Sequence, residues 1–230
     1  MNYRNIKPGI FLSRPNRFIA RVLIDGREEA VHVKNTGRCR ELLVPGCTVY
    51  LEKSDNPSRK TPFDLIAVEK NTEKGTILIN MDSQIPNACC AELLPHSGLF
   101  SPDAEIKREV KFGSSRFDIC VTDGDRKSFV EVKGVTLERD GLALFPDAPT
   151  ERGVKHVREL IEAKKQGFGA YIIFIIQMSE VHTFSPNRGM QPEFAEALLE
   201  AEKEGVKILA FDCIVTPDSI TARKPVKVIL

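Results

Sequence analysis

The run at residues 170–177, A-Y-I-I-F-I-I-Q, shows no alternation of polar and apolar residues. A strand with one face in water alternates, so an unbroken β-branched and aromatic run of this length predicts a central strand covered on both faces. Amphipathic segments flank it. Residues 151–166 place Val154, Val157, Leu160 and Ile161 on one helical face, with Thr150 as N-cap and Gly167 as the stop. Residues 192–204 form a second helical segment ended by Gly205, and residues 206–212 are again β-rich. Helices between such strands require parallel crossovers, which predicts a three-layer α/β sandwich for the C-terminal part. Residues 184–191 read as a loop, and the tail from Thr216 as a strand packing back at an edge.

The N-terminal part has a different grain. Candidate strands lie at 10–12, 18–24, 30–34, 48–52, 63–70 and 76–79, split by Asp25-Gly26, Pro45-Gly46, a polar loop at 54–60 and Lys74-Gly75. Only residues 39–43 look helical. A five-stranded barrel with a short helical insert resembles an OB-fold, which binds single strands and oligosaccharides across one face. Arg14, Arg17, Arg21, Lys34, Arg38 and Arg40 are candidates for such a face, with Phe18 either a stacking platform or a core residue. The Asn35-Thr36-Gly37 turn offers backbone amides to a phosphate, or is simply a turn. Residues 81–100 mark the boundary, with Pro86 and Asn87 opening a helix at 88–94. This gives an OB-fold-like domain over 1–84 and an α/β domain over 85–230.

Charge follows the same division. Residues 1–85 hold fourteen Lys and Arg against ten Asp and Glu, while the remainder holds nineteen against twenty-two. A basic binding module joined to an acidic, metal-binding one fits that asymmetry. The six cysteines form no C-x-x-C pair and have no histidine at zinc-ligand spacing, so they read as reduced thiols without structural zinc. Together with an N-terminus lacking a signal-peptide core and no apolar run long enough to span a bilayer, this predicts a cytoplasmic protein with no membrane partner. No G-x-S-x-G, P-loop or dinucleotide fingerprint is present, which removes several enzyme classes.

The chemistry concentrates between Arg116 and Gly134, R-F-D-I-C-V-T-D-G-D-R-K-S-F-V-E-V-K-G. Two β-rich runs flank a D-G-D-R-K turn, so this is a hairpin. Alternation puts Glu131 and Lys133 on one face, and Asp118, on the first strand, is carried back beside Glu131. Two carboxylates and an ammonium on one surface suit a hard divalent cation and an attacked phosphodiester. Glu92 lies on the predicted helix at 88–94, and Glu109 on a strand-like run nine positions before Asp118. Glu109 either completes the metal shell or pairs with Lys111 or Arg116. Beyond an irregular loop at 146–149, Arg152 and His156 lie one helical turn apart and, with Lys155, bring positive charge to a helix N-terminus.

An acid at a strand start, followed thirteen positions later by E-x-K on the next strand and then by a basic helix, resembles the PD-(D/E)XK nuclease superfamily. The flanking motifs are more specific: V-K-N-T-G-R-C-R-E-L-L-V-P-G, then E-V-K-F-G-S-S-R-F-D, then F-P-D-A-P-T-E-R-G-V-K-H. In that order they resemble the sugar fermentation stimulation protein A (SfsA) family along nearly the whole chain. The resemblance implies an OB-fold N-terminal domain and a C-terminal sandwich of restriction-endonuclease-like type. It implies association with DNA, with RNA and branched nucleic acid as alternatives, and a Mg²⁺- or Mn²⁺-dependent phosphodiester-hydrolysing site. Asp118 and Glu131 would hold the metal, with Lys133 assisting the attacking water and a third acid, Glu109 or Glu92, next to the site. Arg17, Lys34, Arg38, Arg40, Arg116, Arg152, Lys155 and His156 would contact nucleic acid. The alternative is a non-enzymatic DNA-binding regulator of sugar-utilisation (maltose-type) genes, and a third reading is an oligosaccharide-binding barrel.

Overall fold

The structure, a computed structural model, describes residues 1–230 except Thr36, Lys74 and Ser114. The predicted turns at Asn35-Thr36-Gly37 and Lys74-Gly75 therefore fall partly outside the described residues.

Five strands close the N-terminal barrel: β1 (Ile6–Asn16), β2 (Ile19–Ile24), β3 (Arg27–Val33), β4 (Thr48–Lys53) and β5 (Phe63–Thr72). Each neighbouring pair is antiparallel except β3 with β5, whose parallel pairing at Val31, His32 and Val33 closes the ring. A sixth strand, β6 (Gly75–Asn80), adds to β5 outside the ring. Closure works because β2 alternates, with Ala20, Val22 and Ile24 inside and Arg21 and Leu23 outside. Residues 39–43 form no helix. The backbone there makes one turn, Leu43 N–H donating to the Cys39 carbonyl at 2.9 Å, because five residues bounded by Pro45-Gly46 are too few to repay helix nucleation.

The C-terminal part is a nine-stranded mixed sheet. Along the chain come α1 (Ile85–Leu93), β7 (Glu105–Phe112), β8 (Ser115–Asp123), β9 (Arg126–Val135), β10 (Leu137–Arg139), β11 (Leu142–Phe145) and α2 (Glu151–Lys165). They are followed by β12 (Gly169–Ile176), β13 (Thr183–Pro186), α3 (Pro192–Lys203), β14 (Lys207–Thr216) and β15 (Ser219–Val228). The sheet order is β10-β11-β13-β15-β14-β12-β9-β8-β7. The apolar run is β12, parallel to β9 on one side and β14 on the other, with Ile172 through Ile176 fully buried. Ile172, Phe174 and Ile176 pack with α2 and α3, whereas Ile173 and Ile175 pack with α1 on the opposite face.

Two expectations change. Residues 184–186, the start of the stretch read as a loop, belong with Thr183 to a strand held between β11 and β15, too short and proline-bounded for local sequence to reveal. The C-terminal strand is β15, and it lies inside the sheet between β14 and β13 rather than at an edge.

Barrel and sheet share one apolar cluster that runs from Phe11 to Phe194. Polar contacts cross the same boundary. Lys70 Nζ donates to Glu138 Oε2 at 2.5 Å, the Tyr3 N–H to the Asp218 carbonyl at 2.7 Å, and Gln177 Nε2 to Asn80 Oδ1 at 3.0 Å.

Candidate active site

The β8–β9 ladder runs from Asp123↔Arg126 to Ile119↔Val130 and stops there. One step further, Asp118 Oδ2 accepts the Val132 N–H at 2.8 Å, so a side chain takes the place of the next ladder bond. On its other strand neighbour, β7, pairing also skips this step, between Arg108↔Ile119 and Val110↔Phe117. Glu109 occupies the gap on β7 with φ at 56°, a left-handed conformation that costs a residue with a Cβ about 1–2 kcal/mol. The ribbon rolls over here. Ile106, Ile119 and Val121 pack toward α1, but Val110, Phe112 and Phe117 pack toward α2. Asp118 is thereby released from simple alternation and turns its carboxylate toward β9.

Asp118 is half-buried, and its second oxygen accepts Asn87 Nδ2 from α1 at 2.8 Å. Glu131 is only 2% exposed. Its Oε1 accepts Lys133 Nζ at 2.5 Å and His156 Nδ1 from α2, while Oε2 is buried without a partner among the described residues. Arg152 Nε donates to His156 Nε2 at 3.3 Å. An arginine cannot accept, so Nε2 is the acceptor and the imidazole proton sits on Nδ1, aimed at Glu131.

The two acids are held in opposite directions. Burial and the neighbouring Glu131 charge raise the Asp118 carboxyl above its ordinary range, against the Val132 N–H, Lys133 and Asn87. For Glu131, burial also pushes upward, but the His156 hydrogen bond and Lys133 outweigh it and hold the group below its ordinary range. Two carboxylates on neighbouring strands, one with a buried oxygen that has no partner among the described residues, are donors of the kind a hard divalent cation takes. The described residues offer no cluster of three or more His, Cys, Asp or Glu for a metal.

Neither candidate third acid joins this pair. Glu109 Oε2 accepts Arg116 at 3.2 Å on the exposed rim, and Glu92 accepts the N-terminal ammonium at 3.1 Å. The helix bearing Glu92 does reach the site, through Asn87, which in sequence served only as a helix opener. The glycine after Lys133 has a packing role: a Cβ at Gly134 would lie 2.6 Å from Gln177 Oε1 and 2.7 Å from Pro86 Cγ.

Beside His156 lies a cleft of about 420 Å³ lined by Lys111, Ser115, Arg116, Arg152, Lys155 and His156. On the barrel, Arg17, Arg38 and Arg40 line a second cleft of similar size. Phe18 is 43% exposed with the Arg17 guanidinium 4.7 Å from its ring centre, so it is a surface aromatic and not core. Arg14 donates to the carbonyls of Arg17, Asn35, Gly37 and Arg38, which makes it the brace of the 35–38 loop. Lys34 is held by Asp82 at 3.0 Å and faces Asp64 at 3.8 Å. Asn35 Oδ1 already accepts the Gly37 N–H, at 2.8 Å. Sequence gave no signal for the Asp64–Asp82 pair, since each sits at a strand end where an acid is commonly solvated.

Comparison with known proteins is consistent along the chain. Residues 12–79 match the family described as SfsA N-terminal OB domain, and residues 84–219 the one described as sugar fermentation stimulation protein RE domain. A sugar fermentation stimulation protein homolog of Desulfitobacterium hafniense (strain Y51) is 60% identical over 222 residues, covering 96% of this chain and 95% of its own. One from Clostridium beijerinckii is 54% identical over 230 residues, the whole of both chains. The solved structure of Pyrococcus furiosus SfsA in complex with Ca²⁺ is 30% identical and superposes with a TM-score of 0.87, over 100% of this chain and 98% of that one.

Proposed function

The chain belongs to the sugar fermentation stimulation protein family, and from that premise and the geometry around Glu131 we propose that it is a nucleic-acid-binding, divalent-metal-dependent phosphodiester hydrolase acting on DNA. The observation that carries this reading is the Glu131 carboxylate: buried, ionised, oriented through Oε1 by Lys133 and His156, left with an Oε2 that has no partner among the described residues, and near enough to Asp118 for its charge to act there. Most buried carboxylate oxygens are hydrogen-bonded; Glu131 shares its unpartnered Oε2 with Glu159, but only Glu131 is also oriented by a lysine and a histidine. Asp118 and Glu131 would hold Mg²⁺ or Mn²⁺, a pair sufficient for a cation that fills its other positions with water and phosphate oxygens. The relative from Pyrococcus furiosus was solved with Ca²⁺, a hard cation of the same class. When bound, the cation supplies Lewis acidity toward a phosphoryl oxygen and lowers the pKa of water.

The chain's own groups account for the rest. Lys133, whose side chain is 15% exposed, is the donor that orients the attacking water and offsets charge developing on the phosphate. Asn87 fixes Asp118, and His156 fixes Glu131, so neither carboxylate has to be ordered when substrate arrives. The barrel contributes Phe18, Arg17, Arg38 and Arg40 as a surface for stacking and phosphate contact.

The test is cleavage of labelled single-stranded, duplex and branched DNA and of RNA with Mg²⁺ or Mn²⁺, comparing wild type with Asp118→Asn and Lys133→Ala. Metal-dependent product lost in both variants is the expected result. Binding intact in all three proteins with no product on any substrate would refute hydrolysis and leave a DNA-binding regulator.

A further inference from the structure

The cleft beside His156 has a charge that can be counted. Four cations line it: Lys111, Arg116, Arg152 and Lys155. Two of them have acidic neighbours, Arg116 with Glu109 at 3.2 Å and Lys155 with Glu159 at 3.7 Å. Lys111 and Arg152 meet no carboxylate among the described residues. That leaves two uncompensated positive charges facing one small cleft, with no acid on its lining.

A phosphodiester within a chain brings one negative charge, whereas a terminal phosphate monoester brings about −1.5 to −2 at neutral pH. We infer that this cleft binds the phosphate monoester at the end of a nucleic-acid strand, so that the protein works from strand ends. This rests on the hydrolase reading above and adds to it the kind of substrate.

The geometry of Arg152 supports the assignment. Its Nε is committed to His156 Nε2, which fixes the guanidinium plane, and its two terminal nitrogens remain as a fork suited to phosphate oxygens. The same imidazole donates through Nδ1 to Glu131. One ring therefore joins the anion cleft to the carboxylate pair, and an end phosphate seated on Arg152 places the adjoining linkage toward Asp118 and Glu131. The Ser115 hydroxyl donates to Glu159 at 2.5 Å, and that acid is not among the residues lining the cleft.

Binding is measured by fluorescence anisotropy on the full chain in EDTA, so the result does not depend on cleavage. The probes are one short single-stranded oligonucleotide bearing a 5′-phosphate, a 3′-phosphate, or hydroxyls at both ends. About tenfold tighter binding of a phosphorylated end is expected, equivalent to about 1.4 kcal/mol. Whichever end is preferred gives the polarity. Lys111→Gln, at a position with no ion pair, should remove most of the preference while leaving affinity for the hydroxyl-ended strand within about twofold. Equal affinity for all three probes, or a preference unchanged in Lys111→Gln, overturns the inference. The two readings fail separately. End preference without cleavage in any metal keeps this site and refutes the hydrolase, while cleavage of circular single strands as fast as linear ones keeps the hydrolase and refutes this site.

Discussion

Replacing His156 with alanine tests whether Glu131 depends on it. The His156 side chain is 9% exposed and supplies one of the two donors to a Glu131 side chain that is 2% exposed. Loss of a hydrogen bond to a charged group costs about 2 kcal/mol, and the vacated ring volume, partly refilled, adds about 1 kcal/mol. For a chain of this size each kcal/mol moves Tm by about 2–4 °C, so the variant should melt roughly 6–12 °C lower in EDTA. The measurement is thermal or urea unfolding followed by circular dichroism. In a Glu131→Leu background the acceptor is gone, and the same replacement should cost only the cavity, about 1 kcal/mol. A coupling of about 2 kcal/mol between the two positions is therefore expected. Additive costs, with coupling below about 0.5 kcal/mol, would show that His156 does not orient Glu131 and would remove the main support for the hydrolase reading.

Asp118 carries a pH signature. Because its carboxyl is raised in the folded state, it favours folding below its unfolded pKa and opposes folding as pH rises through the folded value. Metal-free Asp118→Asn should thus be more stable than wild type at pH 7, with the gain vanishing in acid, as read by Tm across pH; no gain at pH 7 would contradict the burial argument. Glu131 has the opposite sign: its lowered carboxyl contributes stability above the unfolded pKa that is lost as pH falls through the folded one. Gly134→Ala should destabilise by about 1–3 kcal/mol in denaturant melts, because the Gln177 amide and the Pro86 ring it would meet are both buried. On single-stranded DNA, Arg38→Gln should reduce the slope of log K against log salt by about 0.7 for one lost phosphate contact. Lys34→Gln should leave that slope unchanged and instead lower Tm, since Asp82 and Asp64 lose their shared cation.

The sequence by itself determined the secondary-structure grammar of this protein. A short unbroken run of β-branched and aromatic residues points to a doubly covered strand, and β12 lies between β9 and β14 with helices on both faces. Thr150 capped α2 through the Gly153 N–H as its position before an amphipathic segment required. The pairing of Glu131 with Lys133 followed from the two-residue period of a strand. Other features depend on where distant segments meet, and local pattern carries no record of that. Four residues at 183–186 became a strand only because β11 and β15 lay on either side to satisfy their backbone groups. His156, legible as a basic residue on a wet helix face, was turned inward onto Glu131 by the packing of α2 against the sheet. Asn87 became a partner of Asp118 because α1 crosses the end of β8. Above all, the sequence placed Asp118 near Glu131 by alternation, but the tertiary structure set its orientation by breaking alternation: the ribbon rolls at Glu109 and Asp118, and a carboxylate takes the N–H that the next rung of the ladder would have used.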